Sequence, residues 1–136
     1  MFITTREDHQ VTKNYRIVTI PEATQIVQEY LSITKLYSLD FETPSLDPKI
    51  KQTLLCSINN HISDFILVID TTSIPLTSIL NTQLLKGKLM LAHNAKFDYS
   101  WLKANDIDPE FVYCTMIADQ KLTQGAEDCT RILINN

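Results

Sequence analysis

The chain has 136 residues, 44% apolar and 21% charged, with a formal charge of −4. That length holds one sizeable core, and that composition excludes a disordered chain; with no apolar run near the roughly 20 residues of a bilayer span it also excludes a membrane protein. The charge argues against a binder that meets nucleic acid through a basic face alone, but clustered acids working through bound cations would lower it in the same way.

Residues 1–14 are polar, lack periodicity and read as a flexible N-terminal arm; Arg6, Glu7, Asp8 and His9 leave no room for a secretory signal. Residues 15–20 are rich in β-branched side chains and read as a short strand. Pro21 suits a first helical turn, and Ala23, Ile26, Val27, Tyr30 and Leu31 recur at three- and four-residue spacing, which predicts a helix over 22–32.

Residues 37–42 read as a buried strand interrupted by Asp40 and Glu42. Side chains two apart on a strand share a face, so the two carboxylates project together, roughly 6–7 Å apart at Cα. Two anions on a core strand repel, and a hard divalent cation would satisfy both. A solvated strand end is the plain alternative.

Lys49 and Lys51 fall in the loop that follows. Residues 53–58 and 65–69 read as an antiparallel hairpin around a turn-rich 59–64. Leu76, Ile79, Leu80 and Leu84 give helical spacing, with Gly87 placed to end that helix. Residues 88–92 read as a strand, His93 and Asn94 as a tight turn, 95–105 as a helix and 111–114 as a last strand. Met116 to about Gln124, and Glu127 to Ile134, read as terminal helices. The expected architecture is α/β, one mixed sheet flanked by helices, in a single domain over 15–136. Cys56, Cys114 and Cys129 are widely spaced and odd in number, as expected of reduced thiols in a cytoplasmic protein.

Asp98 stands at the start of the 95–105 helix, where the macrodipole favours an acid; that alone would explain it. His93 and Asn94 would suit a turn without any function. Together, however, two segments resemble the DEDD-type 3′–5′ exonucleases with an RNase H-like fold, and most nearly the proofreading domain of family A DNA polymerases. Asp40, Glu42, Thr43 and Leu46 match the first motif of that family, and Asn94, Phe97 and Asp98 match the second. Thr115, Met116, Ile117 and Ala118 resemble the segment downstream of the second motif.

The resemblance implies hydrolysis of a nucleic-acid strand from its 3′ end, with DNA expected, by two divalent cations, Mg²⁺ or Mn²⁺. Asp40, Glu42 and Asp98 would be the catalytic metal ligands, and Thr43, Leu46, Asn94 and Phe97 would hold the 3′-terminal nucleotide. Core packing is the alternative for Leu46 and Phe97. The family's fourth acid, an Asp in a Tyr-x-x-x-Asp or His-x-x-x-x-Asp helix, has no counterpart after Asp98, so the domain is expected to be C-terminally truncated. Asp119 and Asp128 sit in polar stretches that suit a solvated face.

The expected result is a weak or inactive nuclease, holding one cation or none, unless a polymerase or second chain supplies the missing acid. The alternative is a non-catalytic RNase H-like module that binds nucleic acid or protein. Two glycines, short length and the abrupt end fit a phage or mobile-element gene in a bacterial host.

Overall fold

The computed structural model describes residues 1–7, 14–123 and 131–132. The elements run β1 (Phe2–Thr4), β2 (Tyr15–Ile17), α1 (Ile20–Ser32), β3 (Leu36–Glu42), a 3-10 turn (Pro48–Ile50), β4 (Leu55–Asn59) and β5 (Leu67–Asp70). They continue with α2 (Leu76–Ile79), β6 (Leu89–Ala92), α3 (Ala95–Ala104), β7 (Phe111–Cys114), α4 (Thr115–Thr123) and β8 (Arg131–Ile132). All eight strands form one sheet in the order β2-β1-β5-β4-β3-β6-β7-β8. It is the mixed α/β arrangement read from the sequence: β3 is antiparallel to β4 and parallel to β6, and β4 and β5 make the expected antiparallel hairpin.

The period of two along each strand sorts the side chains onto two unlike faces. Tyr37, Leu39 and Phe41 of β3, Cys56 and Ile58 of β4, Met90 of β6 and Val112 of β7 are buried in one core. Ala23, Val27, Tyr30 and Leu31 of α1 and Trp101 and Leu102 of α3 join the same core. The alternate set (Ser38, Asp40 and Glu42 of β3, Leu55, Ser57 and Asn59 of β4, Leu91 of β6) is half-buried or exposed. This sheet therefore has one packed face and, among the described residues, one open face.

Local chemistry sets the helix ends. Thr19 and Glu22 form a capping box at the start of α1, with Pro21 in its first turn. At the other end Lys88 Nζ donates to the carbonyls of Leu31 and Thr34, where a cation complements the negative end of the dipole.

Three expectations need correction. The arm expected over 1–14 is, at residues 2–4, a strand inside the sheet between β2 and β5. Ile3 is fully buried there, because short parallel pairing gives a polar-looking segment backbone partners that its periodicity does not advertise. Residues 8–13 lie outside the described residues. The helix expected through Leu84 stops at Ile79, with Leu80 extended. Asn81 Oδ1 accepts from the Leu84 amide, and such side-chain bonds offer the backbone an alternative to the helix. Gly87 does take a left-handed conformation, φ +75°, but its amide donates to Glu110 rather than closing that helix. Finally, within the helix expected over 127–134, residues 131–132 are β8, paired antiparallel to β7; residues 124–130 and 133–136, with Asp128 and Cys129 among them, lie outside the described residues. No helix of the described residues is long and apolar enough to cross a membrane.

Candidate active site

Asp40 and Glu42 project from β3 onto the open face, and both are exposed. The expectation of two acids on a buried strand is thus half right: the strand is core, but its acidic face looks outward. Across the β3–β4 ladder Asp40 faces Ser57 and Glu42 faces Leu55. Among the described residues no cation pairs with either carboxylate; the ion pair found there joins Arg6 and Asp70.

Asp98 is the buried acid, 1% exposed in the first turn of α3. The chain reaches it through His93 and Asn94. Asn94 takes the left-handed conformation, φ 57° and ψ 58°, which Asn tolerates better than most residues. Its carbonyl accepts from the Phe97 amide at 2.9 Å and starts the helix. Asp98 Oδ1 then accepts from the backbone amide of Phe41 at 3.1 Å. Since Phe41 lies between Asp40 and Glu42, this bond carries Asp98, 57 residues away, to the edge of the acidic pair.

The electrostatics record the same proximity. Burial pushes the Asp98 carboxyl up to about 7, and the charge of Asp40 adds to that, against the pull of the Phe41 hydrogen bond. Beneath the site the fully buried Cys56 thiol is raised by burial and then by the charges of Asp98 and Asp40.

The four residues expected to hold a nucleotide differ in exposure. Thr43 Oγ1 donates to the Ser45 carbonyl, Ser45 Oγ accepts from Asp47 N, and Asp47 Oδ1 accepts from Lys49 N. This self-bonded loop holds Leu46 out at 85% exposure, which excludes core packing for it. Phe97 is half-buried against the core and meets Trp101 edge-on at 6.2 Å between ring centres. Asn94 is exposed.

A groove of about 610 Å³ runs along the open face from Asp40, floored by Ser38, Ser57 and Asn59 and walled by His93 and Thr115. The sequence reading passed over Ser38, Ser57, Asn59 and Thr115 as site residues. Ser38 was findable, since it stands two before Asp40 on the same face; the others come in through strand register. His93 Nδ1 lies 3.1 Å from Thr115 Oγ1, and Ser38 Oγ lies 2.6 Å from His61 Nε2.

Three carboxylates, hard oxygen donors without cation partners, fit a divalent cation in their chemistry. They are not drawn into a closed cage: among the described residues no group of three His, Cys, Asp or Glu side chains is gathered as a metal cluster. Asp119 is exposed on α4.

A family model described as 3′–5′ exonuclease matches residues 15–128. No curated protein matches the chain. Among solved structures, Trypanosoma brucei RNase D in complex with RNA U12 matches at 17% identity with a TM-score of 0.59, over 71% of this chain and 35% of that one. Escherichia coli RNase D, an exoribonuclease, matches at 21% identity with a TM-score of 0.57, over 78% of this chain and 28% of that one. Brucella melitensis NrnC with bound Mg²⁺ matches at 21% identity with a TM-score of 0.54, over 71% of this chain and 49% of that one. The likeness is one of fold, and the chain spans less than half the length of each of these structures.

Proposed function

The chain belongs to the 3′–5′ exonuclease family, and on that premise we propose that it hydrolyses phosphodiester bonds from the 3′ end of a nucleic-acid strand. The observation that carries the reading is the bond from the Phe41 amide to Asp98, which joins the acid of the second motif to the strand bearing Asp40 and Glu42. Those three side chains would hold the divalent cations, Mg²⁺ or Mn²⁺; such ions supply an ionised water near neutral pH and stabilise the charge on the entering and leaving oxygens.

The protein's own share is positioning. Leu46, held out by its loop, and Phe97, half-buried beside Asp98, lie against the terminal nucleoside, with Thr43 and Asn94 as polar contacts. Asp98 keeps its proton to about pH 7 in the metal-free protein and gives it up when a cation binds.

A fourth carboxylate, from a further segment or a partner chain laid on the open face, completes the site. Without it the chain is a weak nuclease, since loss of one charged ligand loosens cation and water together and a misplacement of about 1 Å costs ~10²-fold in rate. Deoxyribose and ribose strands are both carried as substrates. The motifs resemble those of a proofreading domain, while the RNase D of similar fold is seen with an RNA. The second reading, a nucleic-acid- or protein-binding module without catalysis, rests on the fourth acid, for which no Tyr-x-x-x-Asp or His-x-x-x-x-Asp motif follows Asp98.

The test uses 5′-labelled DNA and RNA, single-stranded or 3′-recessed, with Mn²⁺ and the purified chain. Stepwise shortening from the 3′ end that Asp40→Ala abolishes supports the nuclease, and the preferred strand reports the sugar. Tight binding of the strand without shortening, unaltered by Asp40→Ala, supports the module instead.

A further inference from the structure

We infer that His93, held by Thr115, contacts the phosphate of the bound 3′-terminal nucleotide through its Nε2–H; this deepens the nuclease reading and rests on it. The placement follows from register. The parallel β6–β7 pair aligns Ala92 with Cys114, both buried, and the residues that follow them, His93 in the turn after β6 and Thr115 opening α4, come out side by side. Both line the groove that contains Asp40. The turn that carries them is anchored, with the Ala95 amide donating to Cys114 Sγ at 3.4 Å.

Hydrogen bonding fixes which edge of the ring is left for a ligand. Thr115 Oγ1 lies 3.1 Å from His93 Nδ1 and donates to the Ala92 carbonyl at 3.5 Å, the outer limit of a hydrogen bond. Nδ1 is thereby engaged, and Nε2, on the far side of the ring from the tether, is the nitrogen that meets a ligand, donating when it carries a ring proton.

The groove also needs such a donor. A phosphate drawn to the Asp40 end of the groove meets a lining that holds no Lys or Arg, and His93 supplies its one imidazole. An imidazole fixed in place by a neighbouring hydroxyl costs little further ordering when the phosphate arrives. A turn tie with no ligand would look the same at Thr115, but it would not respond to phosphate.

The experiment titrates AMP, with Mg²⁺, into the full chain and follows the Hε1 signals of its three histidines, assigned with His93→Gln and His61→Gln. The His93 signal is expected to move while that of His61 stays. His93→Ala should weaken AMP binding about 10- to 100-fold, as expected for loss of one hydrogen bond to a charged group. His93→Gln, whose amide can donate from near the Nε2 position, should recover most of it. Thr115→Val should weaken binding less than His93→Ala does. If His93→Ala binds AMP like the unmodified chain while Asp40→Ala does not, this inference alone is overturned. If the folded, unmodified chain does not bind AMP with Mg²⁺ at all, this inference is overturned, while the nuclease reading stands or falls on the strand-shortening assay.

Discussion

Replacing Asp98 by Asn should stabilise the metal-free protein increasingly as pH rises, because Asp98 is an acid the fold prefers neutral. In the folded chain it keeps its proton to about pH 7; unfolded, it ionises at the ordinary value of 3.8. Between those values the folded state binds more protons than the unfolded state, so this group's contribution falls as pH rises. Two-state linkage puts the penalty at about 2 kcal/mol at pH 5 and about 4 kcal/mol at pH 8, so the unmodified chain loses about 2 kcal/mol that Asp98→Asn keeps. Asn retains the carbonyl oxygen that accepts from Phe41, so the tie to β3 survives. Urea titrations in EDTA at pH 5 and pH 8 would read this, with Trp101, the chain's one tryptophan and fully buried, as the fluorescent probe. Added Mn²⁺ should shrink the difference, because a bound cation favours the ionised Asp98 that the variant lacks. Equal pH dependence of the two proteins in EDTA would refute the reasoning, since it would mean that Asp98 is not held neutral.

Leu46→Ala should leave stability within about 0.5 kcal/mol, the side chain being 85% exposed. It should nevertheless weaken binding of an oligonucleotide 3′ end by roughly threefold to tenfold, the value of one to two buried methylenes; equal affinity by fluorescence anisotropy would remove Leu46 from the site. Cys56 should resist a thiol reagent in native buffer and react in urea, because burial and the nearby charges of Asp98 and Asp40 disfavour its thiolate. Fast native labelling at Cys56, read by mass spectrometry, would contradict the packing under the acidic pair.

Much of the fold was written in local patterns. The three- and four-residue spacing in α1, the alternation through β3 and the turn-rich 59–64 are periodic signals with local causes. The failures share one cause as well. β1 and β8 are too short for periodicity to show, and they exist only because a neighbouring strand supplies hydrogen-bond partners. The apolar spacing after Leu76 looked helical, yet Asn81 bonded its own backbone and ended the helix.

For the candidate site, residue type and order marked Asp40, Glu42 and Asp98 as candidates, since a paired acid on a strand and an acid opening a helix are local statements, and the family resemblance joined them. Which acid is buried was not readable, because burial is set by what packs above a residue rather than by its neighbours in sequence. The sequence by itself determined the elements and the chemistry of the motifs. Only the tertiary structure decided that Asp98 is hooked to the Phe41 amide, that Leu46 stands in solvent, and that register sets His93 beside Thr115 in a groove with Asp40. Those are contacts between segments tens of residues apart, and only chain folding brings such groups within hydrogen-bonding distance.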